Sequence, residues 1–229
     1  MCIAVKICGM TNEADIMAAA SCDADYIGIV VDVPSSPRSQ GLSRAAELSA
    51  ISPLPVVTVT VNMQFEKLLE LAAEAKPTAL QLHGEEPPEL VSKLKRTLSC
   101  EVWKAIKLPS ITEQFKPYLA EQLTELAQSY VRAGSDVILL DASPSKGIPG
   151  GTGTLSHWGY AKFISENLNA RIMLAGGLNP ANVGDAIKFV RPWGVDVSSG
   201  VERSKGKKDT ALMEQFVKMA RMATEISQP

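Results

Sequence analysis

The residue types able to carry chemistry stand at the ends of short apolar runs. Asp141 ends the run DVILLD (136–141) and precedes a glycine-rich loop, KGIPGGTG (146–153). A carboxylate at a strand exit beside phosphate-sized space suits acid/base chemistry. Cys8 ends the first apolar run, in KICGM (6–10), and two more glycine-bearing exits follow, LAGG (174–177) and VDVSSG (195–200). A thiol and a carboxylate can divide proton removal and donation between them. Glycine backbone without a Cβ can approach an anion closely, which makes Gly151, Gly153, Gly176, Gly177, Ser199 and Gly200 candidate phosphate contacts. The pattern reads as an enzyme working on a small phosphorylated substrate.

Such residues need elements that bring them to one place. Eight runs rich in Val and Ile qualify as strands, at 3–8, 26–31, 55–61, 78–83, 101–106, 136–141, 171–175 and 194–198. Most are apolar on both faces, as expected of parallel strands covered by helices, and the segments between them carry helical spacing. Asn179 with Pro180 suggests a helix start, followed by Val183, Ala186, Ile187 and Val190 on one face. Phe65, Leu68, Leu69 and Ala72 form a similar stripe, and so do Leu212, Phe216, Met219 and Ala223 near the C-terminus. The stretch 110–133 accommodates a turn, Pro117 and a helix ending near Gly134. Eight strand-helix units over 229 residues predict one domain, a single (β/α)8 TIM barrel, with an open doubly wound sheet as the alternative.

In a barrel, Cys8 and Asp141 meet at the C-terminal mouth, three strands apart around the ring. Arg38, in SPR (36–38), is a candidate for gripping a carboxylate with its planar fork, against a solvated surface arginine. His83 shapes a strand exit or contacts the ligand. Lys6 shares parity with Cys8 and points into the barrel one layer below, where Asp196 on the last strand can form a buried ion pair with it.

Composition narrows the partners. Lys plus Arg number 23 against 25 Asp plus Glu, a net charge of -2, so nothing in the overall balance recruits nucleic acid or a membrane surface. The four cysteines form no CxxC pair, the two histidines have no metal-ligand spacing, and no charged-then-apolar leader precedes the first strand. These features predict a cytoplasmic protein with free thiols and no metal. No apolar run reaches the roughly 18 residues of a membrane span.

The motifs KICGMT (6–11), SPR (36–38), QLHGEE (81–86), LLDA (139–142), GGTG (150–153), LAGGLNPANV (174–183) and VDVSSGVE (195–202) occur in an order and spacing that resembles the phosphoribosylanthranilate isomerase family. The resemblance implies a (β/α)8 barrel without a cofactor. It implies an Amadori rearrangement of N-(5-phosphoribosyl)anthranilate to the 1-deoxyribulose phosphate, with Cys8 as general base and Asp141 as general acid. Arg38 would hold the anthranilate carboxylate and the glycine loops the phosphate. The chain would then act as a monomer or homodimer with the small molecule as its partner. Related sugar-isomerising barrels of histidine biosynthesis usually place a carboxylate where this chain has Cys8, and a non-catalytic phosphate-ligand sensor would not need the acid/base pair. The chain departs from the family where aromatics are usual: Ile29, Val30 and Val31 follow Gly28, and the third strand contains Thr60. Stacking on anthranilate should be correspondingly weaker.

Overall fold

The strands β1 (Ala4–Cys8), β2 (Tyr26–Val31), β3 (Val56–Thr60), β4 (Ala79–Leu82), β5 (Glu101–Leu108), β6 (Val137–Ala142), β7 (Arg171–Leu174) and β8 (Gly194–Val197) pair in parallel in chain order. In this computed structural model, which describes residues 3–142 and 155–225, β1 pairs with both β2 and β8 and so closes the ring. Closure removes the open-sheet alternative. The two-residue strand Ser39–Gln40 adds a short parallel extension to β2. Each barrel strand is followed by a helix: α1 (Glu13–Ser21), α2 (Leu42–Ile51), α3 (Phe65–Ala75), α4 (Pro88–Thr97), α5 (Pro117–Arg132), α6 (Trp158–Asn167), α7 (Val183–Val190) and α8 (Thr210–Glu225).

Strand alternation divides the apolar residues into two sets. Val57, Ala79, Trp103, Ala105, Val137, Leu139, Met173 and Ala175 fill the barrel interior, while residues of opposite parity pack under the helices. Trp103 is fully buried and meets Tyr26 edge-on with ring centroids 5.3 Å apart. Val59 shares its strand face with Val57, so Thr60 points outward to the helix layer. Likewise Ile29 and Val31 belong to the outer set. Of Ile29, Val30, Val31 and Thr60, only Val30 can therefore line the mouth.

The helices start and stop for local reasons. Asn12 caps α1 by accepting from the Asp15 amide. Pro117 occupies the first turn of α5, and Gly134 follows the helix at φ +100°, a backbone that glycine adopts without strain. α7 begins later than Asn179 suggests. The Asn179 side chain accepts from the Ala181 amide in a turn, and the helix starts only after Asn182; its buried face, Val183, Ala186, Ile187 and Val190, is the expected one. The expected stripes of α3 and α8 pack on the core, Phe65, Leu69, Ala72 and Leu212 only partly buried, with Met219 the one departure. In α3 the buried residues are Leu68, Leu71 and Ala75; in α8 they are Met213, Phe216, Val217, Ala220 and Ala223, with Met219 exposed. No helix among the described residues is long and apolar enough to cross a membrane.

Candidate active site

Cys8 and Asp141 both lie at the C-terminal ends of their strands, on β1 and β6, which are separated around the ring by β7 and β8. Cys8 is buried. Gly28 makes room for it, since a Cβ there would stand 2.6 Å from the sulfur. Asp141 is partly open, with 16% of its side chain exposed. Its Oδ1 accepts from the Ala142 amide at 2.8 Å, and its Oδ2 lies 3.1 Å from His83 Nε2. His83 is thus brought onto the carboxylate, a link that strand spacing alone did not reveal. Lys107, the cross-strand partner of Asp141 on β5, adds an exposed ammonium to the same rim.

Below the thiol, Lys6 Nζ meets Asp196 Oδ1 at 2.9 Å, with Lys6 fully buried and the two residues in direct cross-strand register. Burial by itself would lower the lysine pKa, but Asp196 and Cys8 outweigh it and the ammonium is held charged. Burial also pushes the Cys8 thiol up; Lys6 and Lys208 counter that rise in part, while Asp196 adds to it. Replacing Lys6 by Met should leave Asp196 buried and unpaired. A loss of about 3–5 kcal/mol in stability is expected, read as a lower denaturant midpoint. An unchanged midpoint would contradict the pair's role.

Arg38 is not a solvated arginine. It is buried and spends its fork on Glu202, with Nε to Oε1 and Nη2 to Oε2 both at 2.7 Å. Glu202 also accepts from Lys208 Nζ at 3.0 Å, and Lys208 donates to the Ser198 carbonyl. Burial would raise the Glu202 carboxyl, yet Arg38 and Lys208 together hold it below the usual carboxylate range. Glu202 and Lys208 belong to a short hairpin, Glu202–Ser204 with Lys207–Lys208. Thr11 Oγ1 anchors that hairpin to the β1 exit through the Gly206 carbonyl. Arg38 lies against Gly9, where a Cβ would come within 2.5 Å of its Cδ. The guanidinium therefore stands directly beside the Cys8 exit.

On the other flank, Gly176 and Gly177 follow β7 with φ of +87° and +68°. Any other residue would be strained at both positions. Ser199 and Gly200 open a 3-10 turn, Ser199–Val201, after β8, and a Cβ on Gly200 would collide with the Leu178 carbonyl. Outside helices and strands, and among the described residues, no backbone carbonyl accepts from the N–H groups of Gly176 or Gly177. With Ser199 and Gly200 at the start of the 3-10 turn, they put backbone donors on two adjacent strand exits, an arrangement able to hold an anion. Gly151 and Gly153 lie outside the described residues.

The fold and site define a class: a (β/α)8 barrel with a thiol and a carboxylate at one mouth and glycine backbone on two neighbouring exits. Residues 5–219 match the family model described as N-(5'phosphoribosyl)anthranilate (PRA) isomerase. The chain belongs to the phosphoribosylanthranilate isomerase family. It is 37% identical to the N-(5'-phosphoribosyl)anthranilate isomerase of Afipia carboxidovorans, covering 100% of this chain and 94% of that one. A Thermotoga maritima structure, of monomers generated from a dimeric phosphoribosylanthranilate isomerase, superposes with a TM-score of 0.79 at 35% identity, over 96% of this chain and 99% of that one. A phosphoribosyl anthranilate isomerase in complex with reduced 1-(o-carboxyphenylamino)-1-deoxyribulose 5-phosphate superposes at 0.78 with 34% identity, over the same shares of the two chains.

Proposed function

We propose that this protein isomerises N-(5-phosphoribosyl)anthranilate to 1-(2-carboxyphenylamino)-1-deoxyribulose 5-phosphate in tryptophan biosynthesis, with Asp141 as general acid and Cys8 as general base. The observation that carries the reading is the meeting of a strand-end thiol, a strand-end carboxylate and the open glycine backbone of β7 and β8 at one mouth. Asp141 donates a proton to the ribose ring oxygen as its bond to C1 breaks, and the nitrogen lone pair forms the C1 iminium. The Cys8 thiolate then removes the C2 proton. That electron pair becomes the C1–C2 double bond and restores the neutral amine, and the resulting enolamine tautomerises to the ketone. The phosphate rests on the N–H groups of Gly176, Gly177, Ser199 and Gly200.

Arg38 receives the anthranilate carboxylate on the part of its fork that Glu202 leaves unused. Nη1 has no hydrogen bond among the described residues. Glu202 holds the Arg38 guanidinium charged, so the unused edge of its fork offers a charged donor to the substrate carboxylate. Arg38→Ala should raise KM by about tenfold or more, with a smaller loss in kcat. An unchanged KM would remove Arg38 from the binding site. The small molecule is the partner, the chain acts as a monomer or homodimer, and its catalytic free thiol suits the reducing cytoplasm. The direct test is turnover: purified protein mixed with freshly generated phosphoribosylanthranilate should abolish its fluorescence, and inorganic phosphate should compete. Folded protein without turnover would sink the reading.

A further inference from the structure

Gln81 lies two residues before His83 in the same strand alternation, and only 1% of it is exposed. Its Nε2 stands 2.9 Å from His83 Nδ1, and His83 Nε2 in turn stands 3.1 Å from Asp141 Oδ2. Its own Oε1 has no hydrogen-bond partner among the described residues. A buried amide oxygen without a partner costs free energy that an apolar side chain of the same size would avoid, so stability does not explain a glutamine here. The bond to the imidazole does. A ring nitrogen that accepts from an amide carries no proton, so the neutral ring carries its proton on Nε2, aimed at the carboxylate.

The backbone around His83 is already fixed by other groups. Lys104 Nζ, buried, donates to the Leu82 and Gly84 carbonyls and to Glu86 Oε2. Glu86 Oε1 accepts from the Asn62 and Gly84 amides. What remains to be set is the plane and tautomer of the ring.

We propose that Gln81 is a positioning residue of the isomerisation: it holds His83 in the tautomer protonated on Nε2, so that a preformed donor faces Asp141 as that residue loses its proton. The inference rests on Asp141 being the general acid. Negative charge then develops on Asp141 as the ring opens. His83 Nε2–H meets it at Oδ2 and the Ala142 amide meets it at Oδ1, both in place beforehand. Donors placed where charge appears favour the transition state over the ground state. With the opposite tautomer, a lone pair would face the new carboxylate.

The test uses 15N-histidine labelling, which is tractable because the chain has two histidines, His83 and His157; a His157→Gln variant assigns the signals. In the wild type, Nδ1 of His83 should be unprotonated and Nε2 protonated. Gln81→Glu, which can only accept, should move the proton to Nδ1 and lower kcat about a hundredfold while KM changes less than about threefold. Gln81→Met, which keeps the length without the donor, should give mixed tautomers and a loss in kcat of about tenfold. A wild-type ring protonated on Nδ1, alone or on both nitrogens, overturns the proposal. So does a folded Gln81→Glu with an unchanged tautomer, or one whose tautomer moves while kcat does not. If neither variant folds, the wild-type signal still decides. Wild-type protein that fails to turn over substrate would sink the assigned activity, whereas turnover with the wrong tautomer sinks this inference alone.

Discussion

Cys8→Ser should slow turnover by about a hundredfold or more while leaving substrate affinity close to normal. Serine fills nearly the same space in the pocket that Gly28 leaves open beside the sulfur, so the barrel wall need not adjust. What changes is acidity: a hydroxyl supplies almost no anion at neutral pH, whereas the thiol supplies some even in a buried site. Burial raises the Cys8 pKa, with Lys6 and Lys208 limiting the rise. The base is therefore a scarce species in the neutral range, and its share grows about tenfold per pH unit below the thiol pKa. The ultraviolet absorbance of thiolate should grow with pH through and above that range, and the share that belongs to Cys8 should be missing from the serine variant. A Cys8→Ser enzyme with near-normal kcat in single-turnover experiments would show that another group takes the C2 proton.

The barrel was legible because parallel strands covered on both sides read as Val- and Ile-rich runs, and eight of them appear in the sequence with helical segments between. Parity also identified the Lys6–Asp196 pair, since residues on one strand face recur every second position. The same alternation puts Thr60, like Ile29 and Val31, in the helix layer, which leaves Val30 as the one named position facing the mouth. The α8 stripe differs at Met219 because two overlapping apolar templates share residues: Phe216 and Ala223 fit either choice, and only the neighbouring helices decide whether Met219 or Val217 turns inward. At α7, Asn179 with Pro180 has the composition of a helix start but closes a preceding turn.

Apart from the Lys6–Asp196 pair, long-range polar contacts were not legible. Arg38 and Glu202 are separated by 164 residues, and no local pattern marks them as partners. Glu202, Gln81 and Lys208 each look like ordinary surface polar residues until the ring closes. Glu202 and Gln81 fall within family motifs, at 195–202 and 81–86, which was the one available hint. The same holds for His83: its strand-end position was visible, but its contact with Asp141 needs β4, β5 and β6 side by side.

Asp141→Asn should lower kcat by about a thousandfold, within the range that a positioned general acid contributes, while a reduced product analogue still binds within about threefold of wild type. Asparagine keeps the size and one acceptor oxygen but has no proton to give to the ribose oxygen. It also disturbs the local hydrogen bonds in a defined way. Asp141 uses one oxygen on the Ala142 amide and the other on His83 Nε2. If the single amide oxygen of asparagine stays with Ala142, its NH2 group faces a ring nitrogen that already carries a proton. Relief requires the ring to change tautomer or turn away. The variant should therefore show an altered His83 ring signal together with lost turnover, while its thermal stability changes little because the side chain is partly exposed. A His83→Gln variant separates acid chemistry from geometry. If His83→Gln alone costs much less than Asp141→Asn, the proton is the larger part of the loss; equal losses would mean that Asp141 serves only to hold the ring. Near-normal kcat in a folded Asp141→Asn protein would assign the proton that opens the ribose ring to some other donor, with Lys107, its cross-strand neighbour at the rim, the first to test.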